Sequence, residues 1–363
     1  MAEVLRFGFI GAGEIALRTA EAVSQAPRAR LVAVTDADPR LAQGLAEAHG
    51  AEAVDTADDL VARADVDAVY IAVPHFLHSV MVQTAARAGK HILLEKPTGT
   101  SAAESERCLR AARDAGVTLS VPFIYRYTEA WRRVRELAAD AVLGDMQCLR
   151  SVLWADKPAT YWQGGYTGRS QSDWRGRALQ AGGGVLIMNA VHDIDAMRWS
   201  TGLEAERVYA EHGTFAAPVE VEDLAAVTIR YHGGAIGVIE VAAHAPGGAG
   251  PLGSGGHRWI GTQGQAALAD GHLWVYAAQA VAGIPAGRWT ELELDRPGDP
   301  RTLCVDDFAR AVLAGERPPI PEDAGLEAMK VISAAYQSQR FGRPVRTDEV
   351  FQRVVMAPRT TIG

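Results

Sequence analysis

RFGFIGAGEIA, residues 6–16, is the stretch whose reading decides the fold. RFGFIGAG has the apolar character of a buried strand that runs into a glycine turn. EIALRTAEAVSQ continues directly as a helix. The turn Gly11-Ala12-Gly13-Glu14-Ile15-Ala16 fits G-x-G-x-x-A at the strand–helix junction, the context in which that pattern carries a dinucleotide. Gly11 permits the tight turn, and Gly13 lets the backbone approach a pyrophosphate at the helix N-terminus. Ala16 allows close helix–strand packing. Glu14 and Ile15, which open the helix, are counted with the glycines as cofactor contacts.

The same rhythm continues outward. ARLVAVTDADP, VDAVYIAVP, HILLEKP and VTLSVPF read as further buried strands, with helical segments between them. Strands alternating with helices predict a doubly wound parallel sheet covered on both faces. Asp36 closes the second strand, where an acid accepts hydrogen bonds from the adenosine ribose and repels a 2′-phosphate. No arginine immediately follows it, so NAD is favoured over NADP. This pattern places a Rossmann domain in residues 1–123. From 124 to 363 the rhythm changes to closely spaced strands with hairpin turns, one around Gly233-Gly234. They predict an α+β domain with an open, mostly antiparallel or mixed sheet, for substrate binding and oligomerisation. HAPGGAGPLGSGGHRW, residues 244–259, reads as a mobile loop.

Composition narrows the class. A length of 363 residues, 48% hydrophobic and 22% charged, fits a two-domain soluble protein. A formal net charge of −8 argues against an electrostatic grip on nucleic acid or an anionic membrane. The three cysteines are scattered without a CxxC pair, which speaks against a zinc site and fits a reducing cytoplasm. No signal peptide or membrane-spanning run is evident, and no residue cluster has metal-ligand spacing. A cytoplasmic enzyme of small molecules is the expectation.

Two further motifs carry the chemistry. Glu95-Lys96-Pro97 lies just past the carboxyl end of a buried strand, the edge where ligands bind in open α/β sheets. A lysine beside a cationic nicotinamide should have its charged form disfavoured. Pro74, His78 and Glu95 are further cofactor-contact candidates along that edge. The second motif is AGGGVLIMNAVHDID, residues 181–195. Helical spacing puts Met188, His192, Asp195 and Trp199 on one face.

GAGEIA, AVPHFLHSVMVQTAARAGKHILLEKP and AGGGVLIMNAVHDID together resemble the glucose–fructose oxidoreductase / inositol dehydrogenase / MocA (Gfo/Idh/MocA) family. The resemblance extends over most of the chain, densest in the first domain. It implies a nicotinamide-dependent oxidoreductase of sugars, cyclitols and related polyols, homo-oligomeric (dimer or tetramer) through the C-terminal sheet. In such proteins the EKP lysine touches the reacting hydroxyl, here Lys96. An Asp-x-x-x-His pair often follows the glycines; His192 matches its histidine, while Met188 falls at the aspartate and Asn189 is the adjacent polar residue. His192 is then the expected base, Lys96 the charge stabiliser, Asp195 the residue that orients the imidazole, and Asn189 a further catalytic candidate. Asp193 reads as structural.

The aromatic and arginine-rich segment before this helix supplies Tyr161 and Arg175 as substrate contacts, joined by Tyr125, Met188, Asn189, His192 and Lys96. Aromatic faces suit sugar C–H faces, and arginine binds hydroxyls or carboxylates. Two alternatives stand beside the dehydrogenase: a lyase or glycosidase that oxidises its substrate only transiently, and a binding-only NAD sensor.

Overall fold

A computed structural model describes residues 3–247, 255–295 and 298–351. The chain forms two compact units. The first comprises Met1–Ile124, Ala159–Gly182 and Gly298–Met329, and the second Tyr125–Pro158, Gly183–Pro297 and Lys330–Gly363.

The first unit holds six parallel strands, β1 (Leu5–Ile10), β2 (Ala29–Thr35), β3 (Glu52–Ala53), β4 (Ala68–Ile71), β5 (His91–Leu94) and β6 (Leu119–Ser120). Their order is β3-β2-β1-β4-β5-β6, so the strand order reverses between β1 and β4. That reversal is a topological switch point, where a ligand crevice opens at the carboxyl ends of the strands. The two-residue β3 is too short to show a strand pattern in sequence. Local chemistry sets the helix boundaries. Pro39 and Pro300 open helices behind the capping carboxylates of Asp38 and Asp299. Gly50 and Gly315 close the same two helices in the left-handed conformation. The helix Pro300–Ala314 packs Val305, Phe308 and Ala309 into the same apolar cluster as Phe7, Phe9 and Tyr70. Neither the return of 298–329 nor that of 159–182 to the first unit shows in the strand–helix rhythm.

The second unit holds a nine-stranded mixed sheet of β7 (Met146–Trp154), β8 (Ala205–Gly213), β9 (Leu224–Tyr231), β10 (Ile236–Ala242), β11 (Gly255–Gly261), β12 (Gly264–Ala269), β13 (His272–Ala277), β14 (Trp289–Leu292) and β15 (Val345–Arg346). Its only parallel pair is β7 with β10; the other pairs are antiparallel. The positive φ of Gly233 and Gly234 turns the chain between β9 and β10. Residues 248–254 of the Gly-rich stretch expected to be a loop lie outside the described residues. Its last part is strand rather than loop, because residues 255–259 pair with β7 through β11.

Register separates the two faces of this sheet. Leu149, Ala225, Val227, Ile229, Ile239, Val241, Trp259, Ala266 and Val275 are buried. The pairs Ile236↔Cys148, Cys148↔Ile260, Ile260↔Gln265, Gln265↔Tyr276 and Tyr276↔Trp289 run along the opposite face. Because side chains alternate with period two, Leu224 and Trp274 share that outer face. Leu224, Ile236, Trp274 and Trp289 are all exposed. No described helix is long and apolar enough to cross a membrane.

The triple glycine 182–184 belongs to packing. A Cβ on Gly183 would lie 2.0 Å from the Tyr336 hydroxyl, and one on Gly184 would lie 1.8 Å from the Glu222 carbonyl. Glu222 is buried and accepts from the backbone N–H of Gly184 (2.7 Å) and Leu186 (3.0 Å) and from the Tyr336 hydroxyl (2.8 Å). It caps the start of the helical segment that carries His192.

A paired test follows from the backbone. Gly184→Ala should destabilise by about 1–3 kcal/mol or more, because the methyl must displace backbone. Gly44→Ala, in the helix Pro39–His49 with open space around its Cβ position, should instead stabilise by about 0.4–1 kcal/mol. Thermal and urea unfolding of both variants checks the contrast.

Candidate active site

The dinucleotide turn has the shape its sequence requires. Gly11 has φ +101°, and a Cβ there would lie 2.5 Å from the Ala72 carbonyl oxygen, so only glycine fits. Gly13 has nothing within 4 Å of its Cβ position, which leaves an open cradle over the helix start. The helix Glu14–Gln25 has no side-chain cap at Gly13, and Ala16 is buried against the sheet. An uncapped helix N-terminus with open space beside it fits a pyrophosphate. Asp36 accepts from the Ala12 N–H at 2.7 Å and the Asp38 N–H at 2.8 Å, tying the end of β2 to the turn. A carboxylate offers about four lone-pair positions, so acceptor capacity remains for ribose hydroxyls. The Glu14 carboxylate is turned to other chain segments, accepting from the N–H groups of Tyr166 (2.9 Å) and Thr167 (3.0 Å).

At the carboxyl end of β5, Glu95 is a buried anchor. Its Oε1 accepts from the Tyr70 hydroxyl (2.8 Å) and Arg301 (3.0 Å), and its Oε2 from the Lys96 N–H (3.1 Å). Through those bonds the carboxylate positions the lysine backbone. The Lys96 amine is held below the usual lysine range, chiefly by burial, with Glu95 opposing and Arg301 and Arg175 assisting. His78 aims both ring nitrogens at carbonyls, Nδ1 at Pro97 (2.7 Å) and Nε2 at Val73 (2.9 Å). It therefore bridges the ends of β4 and β5, and burial disfavours its charged form. Pro74 directly follows Val73 and leads into the short helical turn at His75. His75 Nδ1 bonds the Ala181 carbonyl at 2.8 Å, and burial keeps its ring neutral.

The segment 159–182 brings Arg175 into the same unit. Its guanidinium lies over the rings of Trp174 (4.7 Å) and Tyr161 (5.6 Å), and its Nη1 is buried with no hydrogen-bond partner among the described residues. A buried, unpaired cationic donor is costly to leave without an acceptor. Tyr161 is buried, and that burial pushes its phenol up to about 12, so it stays protonated.

In the second unit, the helical face expected around His192 is interrupted. Leu186–Ala190 form a π-helical turn before the α-helix Val191–Thr201. The π turn widens the helix just ahead of His192. Met188 is buried. Asn189 Oδ1 accepts from Lys157 Nζ at 2.6 Å. Lysine only donates, so the Asn189 carbonyl faces Lys157 and its NH2 group is turned away. The His192 ring lies 5.2 Å from that of Tyr125, which stacks on Trp131 at 5.9 Å. Both oxygens of Asp195 accept from Arg126, at 2.8 and 2.6 Å, in a buried fork-to-fork pair. It anchors the helix to the 3₁₀ turn Ile124–Tyr127 that carries Tyr125.

Two family models match the chain: an oxidoreductase family with NAD-binding Rossmann fold over residues 5–123, and the GFO/IDH/MocA C-terminal domain over 131–267. The 1,5-anhydro-D-fructose reductase of Ensifer adhaerens is 31% identical over 64% of this chain and 67% of its own length. The chain belongs to the Gfo/Idh/MocA oxidoreductase family. The uncharacterized oxidoreductase YrbE of Bacillus subtilis is 27% identical over 93% of this chain and 95% of its own. The WlbA dehydrogenase of Bordetella pertussis, solved with NADH and UDP-GlcNAcA, shares 26% identity at a TM-score of 0.80, covering 95% of this chain and 99% of its own. This Gfo/Idh/MocA chain is thus an NAD(P)-dependent oxidoreductase with an NAD-binding Rossmann unit.

Three site-building residues were missed from sequence: Lys157, Glu222 and Arg301. Lys157 had a visible signal, being one of four lysines in the chain and, like Lys96, followed by proline. Asp193, one position past His192, was read only as structural. It is buried, and accepts from Ser151 Oγ at 3.1 Å, while His257 Nδ1 lies 3.5 Å away. Burial pushes its carboxyl up to about 7. The folded chain therefore holds this proton where the unfolded chain has lost it. Stability from this group is complete below about pH 4 and falls as pH rises toward 7, by at most about 1.4 kcal/mol per pH unit. Asp193→Asn should remove that slope, and unfolding across pH 4–8 should show the variant gaining on the wild type toward higher pH.

Proposed function

We propose that this oxidoreductase transfers hydride between NAD and a CH–OH or C=O group of a sugar, cyclitol or related polyhydroxylated small molecule. The observation that carries the reading is Lys96: a lysine fixed by a buried carboxylate at the ligand-binding edge of a Rossmann sheet, with its charged form disfavoured. The relatives add support, since one is named for reducing 1,5-anhydro-D-fructose and another, in Rhizobium meliloti, is an inositol 2-dehydrogenase.

When bound, the nicotinamide supplies the hydride acceptor or donor. His192 takes the hydroxyl proton, with its ring set by Tyr125. Lys96 stabilises the developing alkoxide charge, and burial, which disfavours its charged form, makes it easier for the amine to give up a proton. The Asn189 NH2 group, turned away from Lys157, donates to a substrate oxygen. Arg175 offers its buried donor to a substrate hydroxyl or carboxylate, against the faces of Tyr161 and Trp174. Asp36 selects NAD by accepting from the ribose hydroxyls.

An absorbance screen of polyols and sugars with NAD and NADP tests the reading. Reduced cofactor should accumulate in proportion to oxidised substrate, with NAD favoured. Lys96→Ala and His192→Ala should each lower kcat by about 10²–10⁴-fold. Product without net reduced cofactor would instead support transient oxidation by a lyase or glycosidase. Undiminished turnover in both variants would remove the proposed roles.

The outer face of the nine-stranded sheet, where exposed Leu224, Ile236, Trp274 and Trp289 stand among charged residues such as Arg150 and Glu240, supports a homo-oligomer. Trp274→Glu should shift the mass measured by light scattering to that of a smaller species; an unchanged mass would place the contact elsewhere.

A further inference from the structure

The segment that contributes Arg175 also crosses the dinucleotide turn, and there it carries a cation that the chemistry above does not use. Gly165 passes the Glu14 carboxylate at φ +84°, so closely that a Cβ would lie 2.3 Å from Oε2. The next two backbone N–H groups, of Tyr166 and Thr167, donate to the two oxygens of that carboxylate. Two residues further on, Arg169 Nε donates to the Ala12 carbonyl at 3.2 Å, between the two glycines of the turn. All these groups belong to the first unit. Among the described residues Arg169 makes no ion pair, and its two Nη groups have no hydrogen-bond partner.

Glu14 poses an electrostatic problem at this place. It sits in the first turn of the helix whose N-terminus receives a diphosphate, and two like charges close together repel. The structure offsets it in two ways. Backbone donors tie the carboxylate into residues 165–167, and a guanidinium is brought to the turn by the same segment. A planar guanidinium held by one nitrogen has its other donors fixed in the same fork, the geometry that suits phosphate oxygens.

We propose that residues 165–169 form a strap over the glycine turn, latched by Glu14, and that Arg169 binds the pyrophosphate of the dinucleotide. Arg169 is then a cofactor-binding residue from outside the βα turn, and Glu14 a positioning residue that acts through the strap.

Direct binding tests this without turnover, so its outcome is independent of the substrate reading. NADH, ADP-ribose, ADP and adenosine are titrated by calorimetry or fluorescence into the full chain and its variants. Arg169→Ala should weaken NADH, ADP-ribose and ADP by about 10- to 100-fold, the range for a lost charge-assisted contact, and leave adenosine unchanged. Arg169→Gln can still donate to the Ala12 carbonyl but lacks the charge, and should show most of the same loss with an unchanged melting temperature without ligand. Glu14→Ala should speed hydrogen exchange at Tyr166 and Thr167 and weaken the three diphosphates. Wild-type affinity for ADP in Arg169→Gln, or an equal loss for adenosine, would overturn the assignment.

Discussion

A buried carboxylate must be answered by donors, and in this chain the answer to Glu95 organises the Rossmann unit. An unpaired buried charge costs several kcal/mol, so its partners have to be present for the fold to close. They come from three separate places: Tyr70 on β4, Arg301 in the helix Pro300–Ala314, and the Lys96 backbone; Thr19 in turn bonds the Tyr70 hydroxyl. Arg301 explains why a segment more than two hundred residues away returns to this sheet. The network leaves the end of β5 little freedom, and the Lys96 side chain starts from that fixed point.

The second unit repeats the device. Glu222 gathers two backbone N–H groups and the Tyr336 hydroxyl at the start of the helical segment. Asp195 and Arg126 pin its middle to the turn bearing Tyr125. Between them the π turn at Leu186–Ala190 changes which side chains share a face. Such ion pairs contribute less to net stability than to a single arrangement, since their desolvation offsets much of the attraction. Here that arrangement sets the backbone from which His192 and Asn189 project.

How far the site was legible depends on whether a residue acts locally. Gly11, Gly13 and Asp36 could be read because a βα turn imposes its demands within a few residues and one strand. Lys96 could be read because EKP follows a buried strand directly. The Asp195–Arg126 pair could not be read, because spacing along a helix shows which residues are neighbours on it but not what a distant arginine will bind. The π turn at Leu186–Ala190 has no signature in the apolar pattern. Register gives the second sheet one buried face and an opposite face where exposed Leu224, Ile236, Trp274 and Trp289 stand among charged residues such as Arg150 and Glu240.

The sequence by itself determined what short-range physics controls: five of the six parallel strands, the cofactor turn, the hairpins of the second sheet, and the lysine at the strand end. Tertiary structure alone decided what depends on groups far apart in the chain. It supplied the partners that anchor Glu95 and Asp195, gave Asn189 its orientation through Lys157, and brought residues 159–182 to the Rossmann unit. The reason is the cost of burial. A charged or polar group taken from water must find partners wherever the fold can supply them, and sequence spacing does not encode those long-range pairings.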